Sequence, residues 1–90
     1  MKEKNHLLVI DDDLLTLDCF RLLFPKGKVS VDTATSAAEG LRLFSNCRPD
    51  VVVLDVRLPD FSGIEAFRHF REVDAKVPII LMTGHGTSET

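Results

Sequence analysis

Cysteine is scarce in this chain. Cys19 and Cys47 are the only two, they have no Cys-x-x-Cys spacing, and no histidine or cysteine cluster surrounds either. That argues against a disulfide framework or a zinc site and leaves two buried or half-buried thiols as the expectation. A run rich in lysine and arginine is also missing. With 11 basic residues against 14 acidic ones and a net charge of -3, the segment has nothing to track a phosphate backbone, so no direct binding of nucleic acid is expected. No apolar run approaches the roughly 20 residues that a membrane span needs. Met1-Lys2-Glu3-Lys4 lacks the apolar core of a signal peptide, so the expected setting is cytoplasmic, without a membrane partner. Repeats, linkers and low-complexity tracts are absent as well.

Ninety residues, 44% hydrophobic and 28% charged, suit one soluble globular domain spanning residues 1–90. Along it the hydrophobic period switches repeatedly. Leu7-Leu8-Val9-Ile10 is a short continuous apolar run, the pattern of a strand buried on both faces. Asp12 or Asp13 can cap a following helix with Leu14, Leu17, Phe20, Leu23 and Phe24 inward, stopped at Pro25-Lys26-Gly27. Val29, Val31 and Thr33 alternate with Ser30 and Asp32, as in an edge strand with one wetter face. Ser36-Ala37-Ala38-Glu39 reads as a capping box that opens a helix with Ala37, Leu41 and Phe44 inward. A buried strand from Val51 to Leu54 follows, then a turn-rich stretch from Leu58 to Gly63. A helix with Ile64, Phe67 and Phe70 inward and a strand from Pro78 to Met82 complete the order βαβαβαβ. Such alternation predicts an α/β fold, a parallel sheet covered by helices on both faces.

Two of these strands end in acids. Asp11, Asp12 and Asp13 follow the first, and Asp55 follows the third about forty positions later. The C-terminal edge of an open α/β sheet is where ligands bind. Carboxylates crowded there repel one another, and protonation or a divalent cation with oxygen ligands relieves the repulsion. The expected centre of the chemistry is thus an acidic pocket suited to a hard metal.

The final strand has the unbroken apolar pattern of an interior strand, and Thr87-Ser88-Glu89-Thr90 has the look of a helix start. The expectation is a C-terminally incomplete domain, lacking at least one strand and about two helices by the spacing of the units already seen.

Three segments together resemble a family. Ile10-Asp11-Asp12-Asp13, Asp55-Val56-Arg57-Leu58-Pro59-Asp60-Phe61-Ser62-Gly63 and Met82-Thr83-Gly84 are similar in order and spacing to the receiver domain of two-component response regulators. Met82-Thr83-Gly84-His85-Gly86 is also similar to receivers joined to enhancer-dependent transcription activators. The resemblance implies a flavodoxin-like, doubly wound parallel sheet with strand order 2-1-3-4, its fifth strand and last helices missing. It implies that Asp55 accepts a phosphoryl group from a sensor histidine kinase or phosphotransfer protein. Mg²⁺ would be bound directly by Asp12 and Asp55, through water by Asp11, and by the backbone carbonyl of Arg57. Thr83 would give its hydroxyl to a phosphoryl oxygen and report it to an output domain, most naturally a transcriptional one. The chain would be a phosphoacceptor signalling domain and not an enzyme on other substrates. A lysine and an aromatic switch residue that receivers carry on the fifth strand would lie beyond Thr90, and Lys76, ahead of the fourth strand, stands at the wrong end of the sheet to replace the lysine.

Plainer roles suit several residues: Asp13 a helix cap, Asp60 a turn former, Gly63 backbone geometry, His85 a solvent-facing loop residue, and His6 and His69 a strand edge and a polar helix face. A haloacid-dehalogenase-type phosphohydrolase would need an acid two positions after Asp55, where Arg57 stands. A pseudo-receiver that serves only for protein interaction or dimerisation is the stronger competitor. An order 2-1-3-4 would also leave Ile79 to Met82 as an exposed edge, open to self-association.

Overall fold

The computed structural model describes residues 5–24, 27–58 and 63–82. In chain order these form β1 (Asn5–Ile10), α1 (Leu14–Leu23), β2 (Val29–Ala34), α2 (Ala37–Cys47), β3 (Val51–Asp55), α3 (Gly63–Val73) and β4 (Ile79–Met82). The strands make one sheet in the order β2-β1-β3-β4, and every neighbouring pair is parallel. This is the doubly wound order that the resemblance implies.

Alternation along the strands divides the core in two. Leu8 and Ile10 of β1, with Val52 and Leu54 of β3, point to the face covered by α2 and α3, where they meet Ala37, Phe44, Ala66 and Phe70. Leu7 and Val9, with Val53, point to the other face, where Leu17, Phe20 and Phe24 pack against them. The Phe44 and Phe70 rings meet edge to face with centroids 4.8 Å apart, tying α2 to α3 over the sheet.

Local chemistry sets the helix starts. Asp13 caps α1: its Oδ1 accepts from the Leu15 N–H at 3.1 Å, and its Oδ2 accepts from the Thr16 hydroxyl at 3.0 Å. Ser36 caps α2 by accepting from the Glu39 N–H at 3.2 Å, while the Glu39 carboxylate reaches back to the Thr35 N–H at 3.0 Å. That return bond lands one residue ahead of the cap, a variation on the expected capping box. Arg48 closes α2 in the left-handed region at φ 51°.

The inward faces are narrower than expected. Leu14 and Leu23 are 67% and 70% exposed, because α1 carries apolar residues on more than one side and only the side with Leu17, Phe20 and Phe24 meets the sheet. Ile64 is half exposed; Ala66 and Phe70, four residues apart, fill the seam instead, with Phe67 beside them. Cys19 lies on the outer side of α1 and is exposed, contrary to the expected burial, whereas Cys47 is half-buried. Burial, and then the neighbouring Asp32 carboxylate on β2, push the Cys47 thiol above its ordinary pKa. Leu41 and Phe44 face inward as expected, and β2 is the half-buried edge that its alternation predicts. No helix among the described residues is long and apolar enough to cross a membrane.

Candidate functional site

The sheet register brings the acids together. Ile10 of β1 is paired with Leu54 of β3, so the residues that follow, Asp11 and Asp55, leave adjacent strands side by side at the C-terminal edge. One carboxylate oxygen from each of Asp11, Asp12 and Asp55 lies within 4.8 Å of the other two. Asp11 and Asp55 are buried at 3% and 1% exposure, while Asp12 is exposed. Three like charges this close, two of them withdrawn from water, make a strongly anionic cavity.

Backbone amides fix the two buried acids. The Asp13 N–H donates to Asp11 Oδ1 at 2.9 Å, and the Arg57 N–H donates to Asp55 Oδ1 at 2.9 Å. Both are Asx-type bonds, spanning two residues from side chain to backbone. Nearby, the Asp11 N–H continues the ladder to the Ala34 carbonyl at 3.0 Å, and the Val56 N–H reaches the Met82 carbonyl at 3.0 Å. The pocket rim is therefore stitched to all four strands.

Gly63 supplies the remaining constraint. Its N–H donates to the Val56 carbonyl at 2.9 Å. An added Cβ would fall against the Val56 Cα and within 2.7 Å of the Asp55 carbonyl oxygen, both backbone atoms that cannot swing aside. The start of α3 can lie against the end of β3 only because this residue has no side chain. Gly63→Ala should therefore cost about 1–3 kcal/mol of stability, the usual scale of an overpacked contact. Chemical denaturation would measure the cost, and amide shifts at Asp55 and Arg57 would show the pocket moving. An unshifted, equally stable variant would refute the close approach.

Thr83, His85, Asp60 and Pro59 lie outside the described residues. Thr83 follows Met82, the residue that the register sets opposite Asp55. Lys76 is exposed ahead of β4, at the opposite end of the sheet from the acids, as expected. Arg57 is exposed and provides no acid where a dehalogenase-type phosphohydrolase would need one. Asp13 is the helix cap expected of it, and His69 is exposed on α3. The resemblance implies a role for the Arg57 carbonyl and none for the amides of Asp13 and Arg57. The signal was available, since each amide stands two residues after its aspartate.

The family model for the response regulator receiver domain matches residues 7–90. The chain belongs to the response regulator receiver domain family. Among curated relatives, this receiver chain is 37% identical over 82 residues to the transcriptional regulatory protein GlrR of Escherichia coli (strain K12), covering 91% of the chain and 18% of GlrR. It is 42% identical over 77 residues to the transcriptional regulatory protein AfsQ1 of Streptomyces coelicolor, covering 86% of the chain and 34% of that relative. The chain thus spans only a minor part of these relatives. Among solved structures, the CheY-like receiver domain protein of Methanospirillum hungatei JF-1 matches with a TM-score of 0.84 at 26% identity, over 92% of this chain and 66% of that one. The CheX-CheY-BeF3-Mg+2 complex of Borrelia burgdorferi matches with a TM-score of 0.78 at 25% identity, over 86% and 60%.

Proposed function

We propose that Asp55 is the phosphoacceptor of a two-component response regulator, receiving its phosphoryl group from the phosphohistidine of a sensor histidine kinase or phosphotransfer protein. The observation that carries this reading is the convergence of Asp11, Asp12 and Asp55 within 4.8 Å at one edge of the sheet. An Asp55 carboxylate oxygen attacks phosphorus, the P–N bond to the imidazole breaks, and the product is an acyl phosphate. The Arg57 amide, bonded to Asp55 Oδ1, orients the nucleophile. Burial keeps bulk water away from the reacting carboxylate.

The donor set is all oxygen and strongly anionic, which suits Mg²⁺. Asp11, Asp12, Asp55 and the backbone carbonyl of Arg57 would hold the ion, whose charge offsets the repulsion between the carboxylate and the incoming phosphoryl group. The relative from Borrelia burgdorferi, solved with Mg+2 and BeF3, supports this choice of ion. Thr83 would donate its hydroxyl to a phosphoryl oxygen and pass the change to an output domain. The names of GlrR and AfsQ1, both transcriptional regulatory proteins, favour a transcriptional output, and a cytoplasmic setting goes with that reading. The chemistry is confined to the chain's own phosphorylation and dephosphorylation.

Titration with Mg²⁺, followed by NMR, tests the pocket directly. The amides of Asp12, Asp13, Val56 and Arg57 should shift together, and Asp12→Ala should weaken binding about tenfold by removing one anionic ligand. Identical titrations for the two proteins would count against the site and favour the pseudo-receiver, a module that binds partners without phosphorylation.

A further inference from the structure

One peptide plane joins the Asp55 carboxylate to a helix. The unit between Val56 and Arg57 carries the Arg57 N–H, which donates to Asp55 Oδ1 at 2.9 Å, and the Val56 carbonyl, which accepts from the Gly63 N–H at 2.9 Å. A trans peptide is rigid and planar, so its N–H and C=O point to opposite sides and move together. Gly63 is the first residue of α3. Two hydrogen bonds therefore run in series, from the carboxylate through a single plane to the start of a helix.

The surroundings leave this series little slack. On one side the Val56 N–H is anchored to the Met82 carbonyl of β4 at 3.0 Å, which fixes the preceding peptide and leaves the 56–57 plane to turn about the Val56 Cα. On the other side Gly63 lies so close to the Val56 Cα and the Asp55 carbonyl oxygen that a Cβ has no room. Packed contacts of this kind pass a displacement on instead of absorbing it. The Asp11 carboxylate, by contrast, is held by the Asp13 amide at the start of α1.

We propose that α3 reads the charge of Asp55 through this peptide, a route of regulation that rests on the phosphoacceptor reading and runs separately from the Thr83 hydroxyl. A hydrogen bond to a carboxylate is roughly twice as strong as one to a neutral oxygen. When phosphorus joins a carboxylate oxygen and the P–N bond of the donor breaks, the carboxyl itself becomes uncharged and the negative charge resides on the phosphoryl oxygens. The 56–57 plane is then released from the position that the carboxylate sets. Hydrogen bonds in series polarise one another, by about 10–30% per bond, so the Val56 carbonyl also becomes a weaker acceptor for the Gly63 N–H. The first turn of α3 is freed to shift along the sheet. Its outer side carries Ile64, Glu65 and Arg68, all exposed, and on that surface the change is presented.

Asp55→Asn isolates the charge, because it keeps an oxygen for the Arg57 amide and needs neither phosphoryl group nor metal. In NMR spectra of the 90-residue chain, the Arg57 and Gly63 amide protons should both move upfield. The scalar coupling across the hydrogen bond, from the Gly63 nitrogen to the Val56 carbonyl carbon, should fall. Asp11→Asn removes the same charge from the same pocket and should move the Asp13 amide while that coupling holds. In a protein carrying the receiver, phosphorylation by acetyl phosphate should shift the Gly63 amide as well. A wild-type coupling in Asp55→Asn, or an equal fall in Asp11→Asn, overturns the proposal. So does a Gly63 amide that stays in place on protein that has taken the label, which leaves the phosphoacceptor reading standing. Absence of label would bring down that reading, and the trigger of the relay with it.

Discussion

Asp55→Asn should abolish covalent capture of a phosphoryl group. Incubated with acetyl phosphate and Mg²⁺, a protein carrying the wild-type receiver should gain the mass of one phosphoryl group in a form that hydroxylamine releases. The asparagine variant should gain none, because an amide oxygen is not a competent nucleophile at phosphorus. The loss should not come from unfolding. Asparagine keeps an oxygen to accept the Arg57 amide. It also removes one of three clustered negative charges from a position 1% exposed, which relieves repulsion with Asp11. Thermal stability is therefore expected to hold or rise while labelling disappears. Hydroxylamine-labile label that persists on Asp55→Asn would place the nucleophile at another residue.

Phe44→Ala should be among the most damaging single changes to the fold. Phe44 is 1% exposed between α2 and the sheet, and it supports the Phe70 ring edge to face. Truncation removes that contact and leaves a cavity, at a cost of about 3–5 kcal/mol. For a domain of this size each kcal/mol lowers the melting temperature by about 4–8 °C, so the transition should fall by more than about 12 °C. Leu22→Ala is the internal control: Leu22 is 86% exposed on α1, and its loss should stay within about 0.5 kcal/mol. Similar melting temperatures for the two variants would contradict the division of the core.

The acidic pocket was legible in the residues themselves, whereas the strand order came with the family resemblance. Continuous apolar runs marked β1 and β3 as interior strands, and interior strands place the following residue at the ligand-binding edge. Asp11, Asp12 and Asp55 came together for that reason alone. The α1 surface was less legible. Leu14, Leu15, Leu17, Leu22 and Leu23 populate several sides of one ten-residue helix, and periodicity alone does not say which side meets the sheet. Leu17, Phe20 and Phe24 do so because they reach Val9 and Val53, and Cys19 is exposed for the same reason. On α3 the inward stripe runs through Ala66 and Phe70, four residues apart, which leaves Ile64 half exposed. The role of Gly63 was named only in outline, because the clash it avoids lies with the main chain of another element.

The two Asx-type bonds bear on the proposed Mg²⁺ site. With the Asp13 and Arg57 amides holding one oxygen of Asp11 and of Asp55, these side chains have lost much of their rotational freedom before any ligand arrives. Immobilising a mobile side chain on binding typically costs about 0.5–1.5 kcal/mol, and here folding has already met most of that cost for two of the three acids. Magnesium prefers oxygen at about 2.0–2.1 Å and calcium at about 2.3–2.6 Å. Under the proposed Mg²⁺ reading, two acids held in place and one exposed, adjustable acid at Asp12 would favour the smaller ion.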